Sequence, residues 1–257
     1  MKFFPMNLFQ RKAGYYGNYS TWQEARADCS GYENGLILDK VLKAALAVKN
    51  GEALYERDSV VFNEYQCSWA VLSLLLKAAL ENGYRLSVLD FGGSLGSSYF
   101  QFRSMIPDNV TINWNVIEQA HFVVEGKKNF ESEELKFHAD ISGITDLGSL
   151  NVLLLSSVLS YVEKPTTLLS ELLALQVPYV AIDRTFCFAS SSRLTMQIVP
   201  KWIYEASYPA WFLNKAELVQ LLTENYRVLS IFDALGGKIK VGSCRAEEIG
   251  FLCQLKG

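Results

Sequence analysis

One stretch constrains this chain more than any other: Ser87-Val88-Leu89-Asp90-Phe91-Gly92-Gly93-Ser94-Leu95-Gly96-Ser97. An apolar run ends in an acid, passes through closely spaced glycines and resumes as helix-compatible sequence. Such a run describes a buried strand turning tightly into a helix, its backbone passing close to whatever lies beyond the strand's carboxyl end. The spacing is D-x-G-x-S-x-G. The dinucleotide fingerprint G-x-G-x-x-G does not fit, because Ser94 and Ser97 stand at its second and third glycine positions.

The texture around this turn sets the fold class. From Arg85 onward short apolar runs alternate with helical patterns, which predicts βα units around a mostly parallel sheet. The expected strands are Leu86–Phe91, Val110–Ile117, Leu135–His138, Val152–Leu155 and Tyr179–Ile182. Helices are expected at Gly96–Met105, His121–Phe130, briefly near Thr145, and at Thr166–Leu175. Residues 184–213 read as a long functional connection rich in Ser, Pro and aromatics. A helix over Lys215–Thr223 and a terminal hairpin, Tyr226–Leu235 with Ile249–Leu255, complete the pattern. The first 80 or so residues read as helical: a capping box at Ser20-Thr21 with Gln23-Glu24, a helix from about Leu36 to Gly51, and another over Cys67–Asn82. Glu56-Arg57-Asp58-Ser59 is charged and turn-like. The expected organisation is an α/β domain over 84–257 with an N-terminal helical cover over 1–83.

Composition excludes several functions. A net charge of -3 with both signs dispersed leaves no basic stripe for nucleic acid. Five scattered cysteines without a C-x-x-C pair suit reduced thiols in the cytoplasm rather than a disulfide framework or zinc site. Met1–Phe9 lacks the features of a secretion signal, and the greasy run Trp69–Leu76 is far shorter than the roughly 20 residues of a membrane span.

The acid followed by alternating glycines matches the cofactor turn of S-adenosylmethionine-dependent methyltransferases, with Ser94 in the middle glycine's place. That cofactor has no phosphate but carries an ammonium, a carboxylate and a sulfonium, so Asp90 is read as offsetting positive charge beside Phe91, Gly92, Gly93, Ser94 and Gly96; the alternative is a tight turn without a ligand. Glu118 closes the second strand about 20 residues later, where an acid accepts both ribose hydroxyls, or else serves as a helix-start acid. Asp140 and Ile141 follow the third strand as candidates for the adenine amino group and ring, Asp140 being equally suited to a helix cap. Ser156 and Tyr161 follow the fourth, beneath the transferred methyl. Asp183-Arg184-Thr185 ends the fifth and is the best acceptor candidate, with Arg193, Gln197, Tyr204, Tyr208 and Trp211 as pocket walls or as packing residues.

Several stretches together resemble one family, the bacterial S-adenosylmethionine-dependent methyltransferases met among surface-polysaccharide and O-antigen genes. They are Gly17 to Trp22, Ser30-Gly31-Tyr32, Tyr55 to Ser59, Leu89 to Tyr99, Asp183-Arg184-Thr185, Arg193-Leu194-Thr195 through Gln197 and Pro200, and Tyr208-Pro209-Ala210-Trp211. The resemblance implies a Rossmann-like class I methyltransferase sheet, S-adenosylhomocysteine as product, and a lean toward a sugar or glycan hydroxyl as acceptor. Within it, Glu56-Arg57-Asp58 is expected to fold over the cofactor's methionine end, Arg57 meeting the carboxylate. Asp183 is the expected base, Tyr161 its neighbour at the transfer site, and no ligand cluster suggests a metal. The rivals are an NAD-linked oxidoreductase, against which the broken fingerprint counts, and a degenerate methyltransferase fold acting as a binding subunit, for which Ser94 is the one point in favour.

Overall fold

The computed structural model describes residues 12–30, 35–64 and 66–257. Met1–Phe9 and the Gly31-Tyr32 pair lie outside them. Five parallel strands form the centre: β4 (Arg85–Phe91), β5 (Thr111–Ile117), β6 (Leu135–His138), β7 (Val152–Ser156) and β8 (Tyr179–Phe188). Their spatial order is β6-β5-β4-β7-β8, so the chain reverses direction across the sheet between β4 and β7. The central strands β4, β7 and β8 are buried nearly throughout because both faces of the sheet are covered. One face packs α2 (Gly35–Lys49), α3 (Trp69–Glu81), α4 (Ser97–Arg103) and α5 (Ala120–Asn129) around Trp114, Leu75 and Phe137. The other packs α6 (Pro165–Leu173) and α7 (Lys215–Asn225) around Leu153, Leu169 and Phe251. β12 (Cys244–Leu255) lies antiparallel on β8, and β11 (Tyr226–Val241) on β12. This is the class I methyltransferase arrangement with its terminal hairpin.

Two expectations are corrected. Residues 184–213 are not a long connection: β8 runs on to Phe188, and β9 (Arg193–Ile198) and β10 (Ser207–Asn214) pair antiparallel across the next turn. Pro209 hid that strand. It is tolerated because β10 meets β8 only at Leu213 and Asn214, so at Pro209 no bond to β8 is required. The N-terminal region is likewise not wholly helical. β1 (Gly14–Tyr19) pairs with β9, and Thr21 then caps α1 (Trp22–Ala27) in the expected capping box with Glu24. Tyr55–Arg57 (β2) and Val60–Phe62 (β3) form a hairpin whose turn residues Asp58 and Ser59 both have positive φ, 53° and 67°, as a type I′ turn requires. The terminal hairpin is longer than its sequence pattern suggested, because Gly236 and Gly237 lie inside β11 instead of ending it.

Candidate functional site

At the carboxyl ends of the parallel strands lies a cavity of about 980 Å³. Strand β4 delivers its turn to one wall. Gly92 donates its N–H to the carbonyl of Ile117 at 2.9 Å, which ties the turn to the end of β5. Gly92 has φ 72°, and a Cβ there would sit 2.6 Å from Val158 Cγ2; at Gly93 a Cβ would sit 2.6 Å from the Asp90 carboxylate. Only glycine lets the backbone pass between these groups. Ser94 takes φ 55°, the left-handed conformation for which this turn pattern favours glycine. Its N–H donates to Glu118 Oε1 at 3.3 Å while Gln119 N–H donates to Oε2 at 2.7 Å, so the backbone holds Glu118 at the mouth of the turn.

The structure brings Phe91, Gly92, Gly93, Ser94, Glu118, Asp140, Ile141, Ser156, Tyr161, Asp183, Arg184, Gln197, Tyr204, Tyr208 and Arg57 to this one cavity. Four of the expected residues do not line it. Asp90 is fully buried beneath the turn, accepting the Trp114 indole N–H at 3.0 Å, and desolvation raises its pKa to about 7 against that bond. Gly96 caps α4 at φ 89° and faces Leu135, serving the packing of helix on sheet. Arg193 stacks on Phe188 at 5.0 Å, on the Gln197 face of β9 but four residues further along the strand, and Trp211 donates its indole N–H to the Glu163 carbonyl at 3.3 Å, on the face of β10 opposite Tyr208.

Asp140 lines the cavity while capping the short turn Ile141–Gly143, accepting Ser142 N–H at 2.8 Å; the Ser142 bonds lower its pKa. His138 bonds Asn115 and His121 sits at the start of α5, neither of them among the cavity's walls. Tyr161 donates to Gln197 Oε1 at 2.8 Å and meets the Tyr208 ring edge-on at 5.4 Å. Asp183 ends the pairing of β8 with β7, opposite Ser156. It is buried, desolvation raises its pKa against the nearby Arg184, and its Oδ1 has no hydrogen-bond partner among the described residues. Arg184 has φ 51° and reaches Ser156 Oγ and Asp58 Oδ2, each at 3.4 Å.

The β2–β3 hairpin contributes to the same cavity from across the turn. The Arg57 guanidinium stacks on Phe62 at 5.0 Å, which in turn stacks on Tyr55, and its Nη1 is buried without a partner, as is Ser59 Oγ. Glu56 is a residue that sequence reasoning did not single out on its own. It is buried, accepts bonds from Ser97 Oγ and Ser59 N–H, and desolvation raises its pKa to about 7. A charged residue in a predicted solvent-facing turn gives no local sign of burial; its contact with Ser97 spans 41 residues. Among the described residues there is no cluster of His, Cys, Asp and Glu suited to a metal ion, and no helix long and apolar enough to cross a membrane.

No protein-family model matches the chain, and no curated protein matches it. Among solved structures, the N-terminal domain of EvdMO1, crystallised in the presence of S-adenosylhomocysteine and D-fucose, is similar at a TM-score of 0.50 and 14% identity, covering 85% of this chain and 97% of that one. A S-adenosylmethionine-dependent methyltransferase from Clostridium acetobutylicum ATCC 824 gives 0.46 at 12% identity, over 72% and 91% of the two chains. The glycopeptide N-methyltransferase MtfA, complexed with S-adenosylmethionine, gives 0.48 at 10% identity, over 71% and 94%. At such identities the likeness is one of fold.

Proposed function

We propose that the protein is a S-adenosylmethionine-dependent methyltransferase acting on a sugar or glycan hydroxyl. One observation carries this reading. A glycine-floored turn, a ribose-type acid and buried polar atoms of Arg57, Ser59 and Asp183 that find no partner among the described residues all meet in one cavity at the strands' carboxyl ends. The residues present fit this cofactor: Gly92, Gly93 and Ser94 leave room beside the backbone, Arg57 offers a donor fork for a carboxylate, Glu118 accepts from hydroxyls, and Ile141 supplies an apolar face beside Asp140. When bound, the cofactor supplies a methyl group activated by its sulfonium.

The protein's own contribution is then positioning and proton handling. Tyr161, Gln197, Tyr204 and Tyr208 orient the acceptor, and Asp183, with a free oxygen and a raised pKa, takes the proton from its hydroxyl. The segment before residue 84 acts as the cover, since the hairpin, Trp22 and Arg26 of α1 and Val41 of α2 all line the cavity. The sugar lean rests on the family resemblance and on the D-fucose present with the EvdMO1 domain. The five cysteines, all free thiols, agree with a cytoplasmic setting.

Two measurements test the reading. Calorimetry should show S-adenosylhomocysteine binding, and a tritiated-methyl assay run in parallel on envelope glycan extracts, proteins and small-molecule pools should label the glycan or sugar fraction. Label confined to protein would discard the acceptor; no binding would discard the cofactor. Asp183→Asn should leave that binding within twofold and lower kcat by roughly two to four powers of ten.

A further inference from the structure

Four acids and two arginines surround the junction of hairpin and glycine turn, and their pairings are unequal. Asp58 is paired with Arg184 across 126 residues. Glu118 is held by two backbone N–H groups, and Asp90 by the Trp114 indole beneath the turn. Glu56 differs. It is 5% exposed, it faces the cavity, and among the described residues it has no ion pair. Its two bonds, from Ser97 Oγ and Ser59 N–H, use one lone pair on each oxygen and leave the others available.

A buried carboxylate without a cation is costly unless a ligand completes it. The next residue in the chain, Arg57, presents the opposite charge with a buried, unpartnered Nη1, and it does not bond Glu56. Neighbours in one strand thus offer an anion and a cation separately to the same cavity, Glu56 on the side of Ser97 and Arg57 on the side of Phe62. A zwitterion, with an ammonium and a carboxylate, offers a partner to each of these charges. Neither a neutral sugar nor an adenosine does.

Resting on the methyltransferase reading, we propose that Glu56 is the specificity-determining acceptor for the cofactor's α-ammonium, acting with Arg57 on the carboxylate, so that the β2–β3 hairpin reads the amino-acid end of the ligand. Ser97, at the start of α4, positions the Glu56 carboxylate for this contact.

Glu56→Gln tests this by calorimetry with two probes, S-adenosylhomocysteine and 5′-methylthioadenosine, which keeps the adenosyl thioether but lacks the amino-acid end. The variant should weaken S-adenosylhomocysteine at least tenfold and leave methylthioadenosine within twofold. An equal loss for both probes would show Glu56 merely holding the turn in shape, and an unchanged S-adenosylhomocysteine affinity would show no contact; either overturns the proposal. If the wild-type protein bound neither probe, the cofactor reading itself would fall, and this one with it. Should the Gln variant not fold, Glu56→Asp keeps the charge but withdraws it by one methylene, and the same contrast between probes applies.

Discussion

Single residues decide whether the turn after β4 can exist at all. Gly93 has the Asp90 carboxylate where a side chain would begin, 2.6 Å from a built Cβ, and Asp90 is walled in by Trp114. Gly93→Ala should therefore destabilise the fold by about 2–4 kcal/mol, read by urea denaturation, and should abolish S-adenosylhomocysteine binding; a native-like midpoint would show that the turn yields more easily than its contacts imply. The turn was legible from its glycine spacing, and so was the position of Glu118. The inward aim of Asp90 was not, because it depends on an indole 24 residues away. Asp90 thus shapes the cavity through the backbone of the turn and not by contact. Glu56 was illegible for the same reason, since burial of a charged turn residue is decided by what packs against it.

Elements set what can move. The β2–β3 hairpin is tied to β8 by the Asp58–Arg184 pair, whose carboxylate is 59% exposed while the guanidinium is 18% exposed. A pair so open to water contributes about 0–1 kcal/mol to stability. Asp58→Asn should accordingly leave the melting temperature nearly unchanged, while speeding S-adenosylhomocysteine dissociation several-fold in stopped-flow fluorescence, and added salt should produce part of the same acceleration in the wild type. An unaltered off-rate would mean that other contacts hold the hairpin. The five parallel strands were readable as short, mainly apolar runs, whereas β1, β9 and β10 were not: serines precede β9, Pro209 interrupts β10, and the short β1 has its partner about 180 residues away. Strand pairing of that range leaves no periodic trace in a window of sequence.

For the whole molecule, carboxyl groups whose pKa burial raises gather in the cavity wall and beneath its glycine turn. Asp90 and Glu56 rise from 3.8 and 4.5 to about 7. The folded state therefore keeps protons that the unfolded chain releases between those limits, so the contribution of these two groups to stability is fully present below about pH 4, is lost as pH rises toward 7 and levels off above. This contribution should be lost between about pH 4 and 7 in denaturant titrations of the ligand-free protein, and Asp90→Asn, which cannot titrate, should flatten the curve; parallel curves for the two proteins would contradict the assignment. Strand β8 carries one last consequence. It parts from β7 at Asp183 and continues five residues to join the antiparallel flank of β10, β9 and β1, so Asp183 is tied through one strand to the flank that carries Gln197 and Tyr208, while the glycine turn, Glu118 and Asp140 hang from other strands. Substitutions along the flank can therefore reshape one end of the cavity while the glycine turn at the other keeps its geometry.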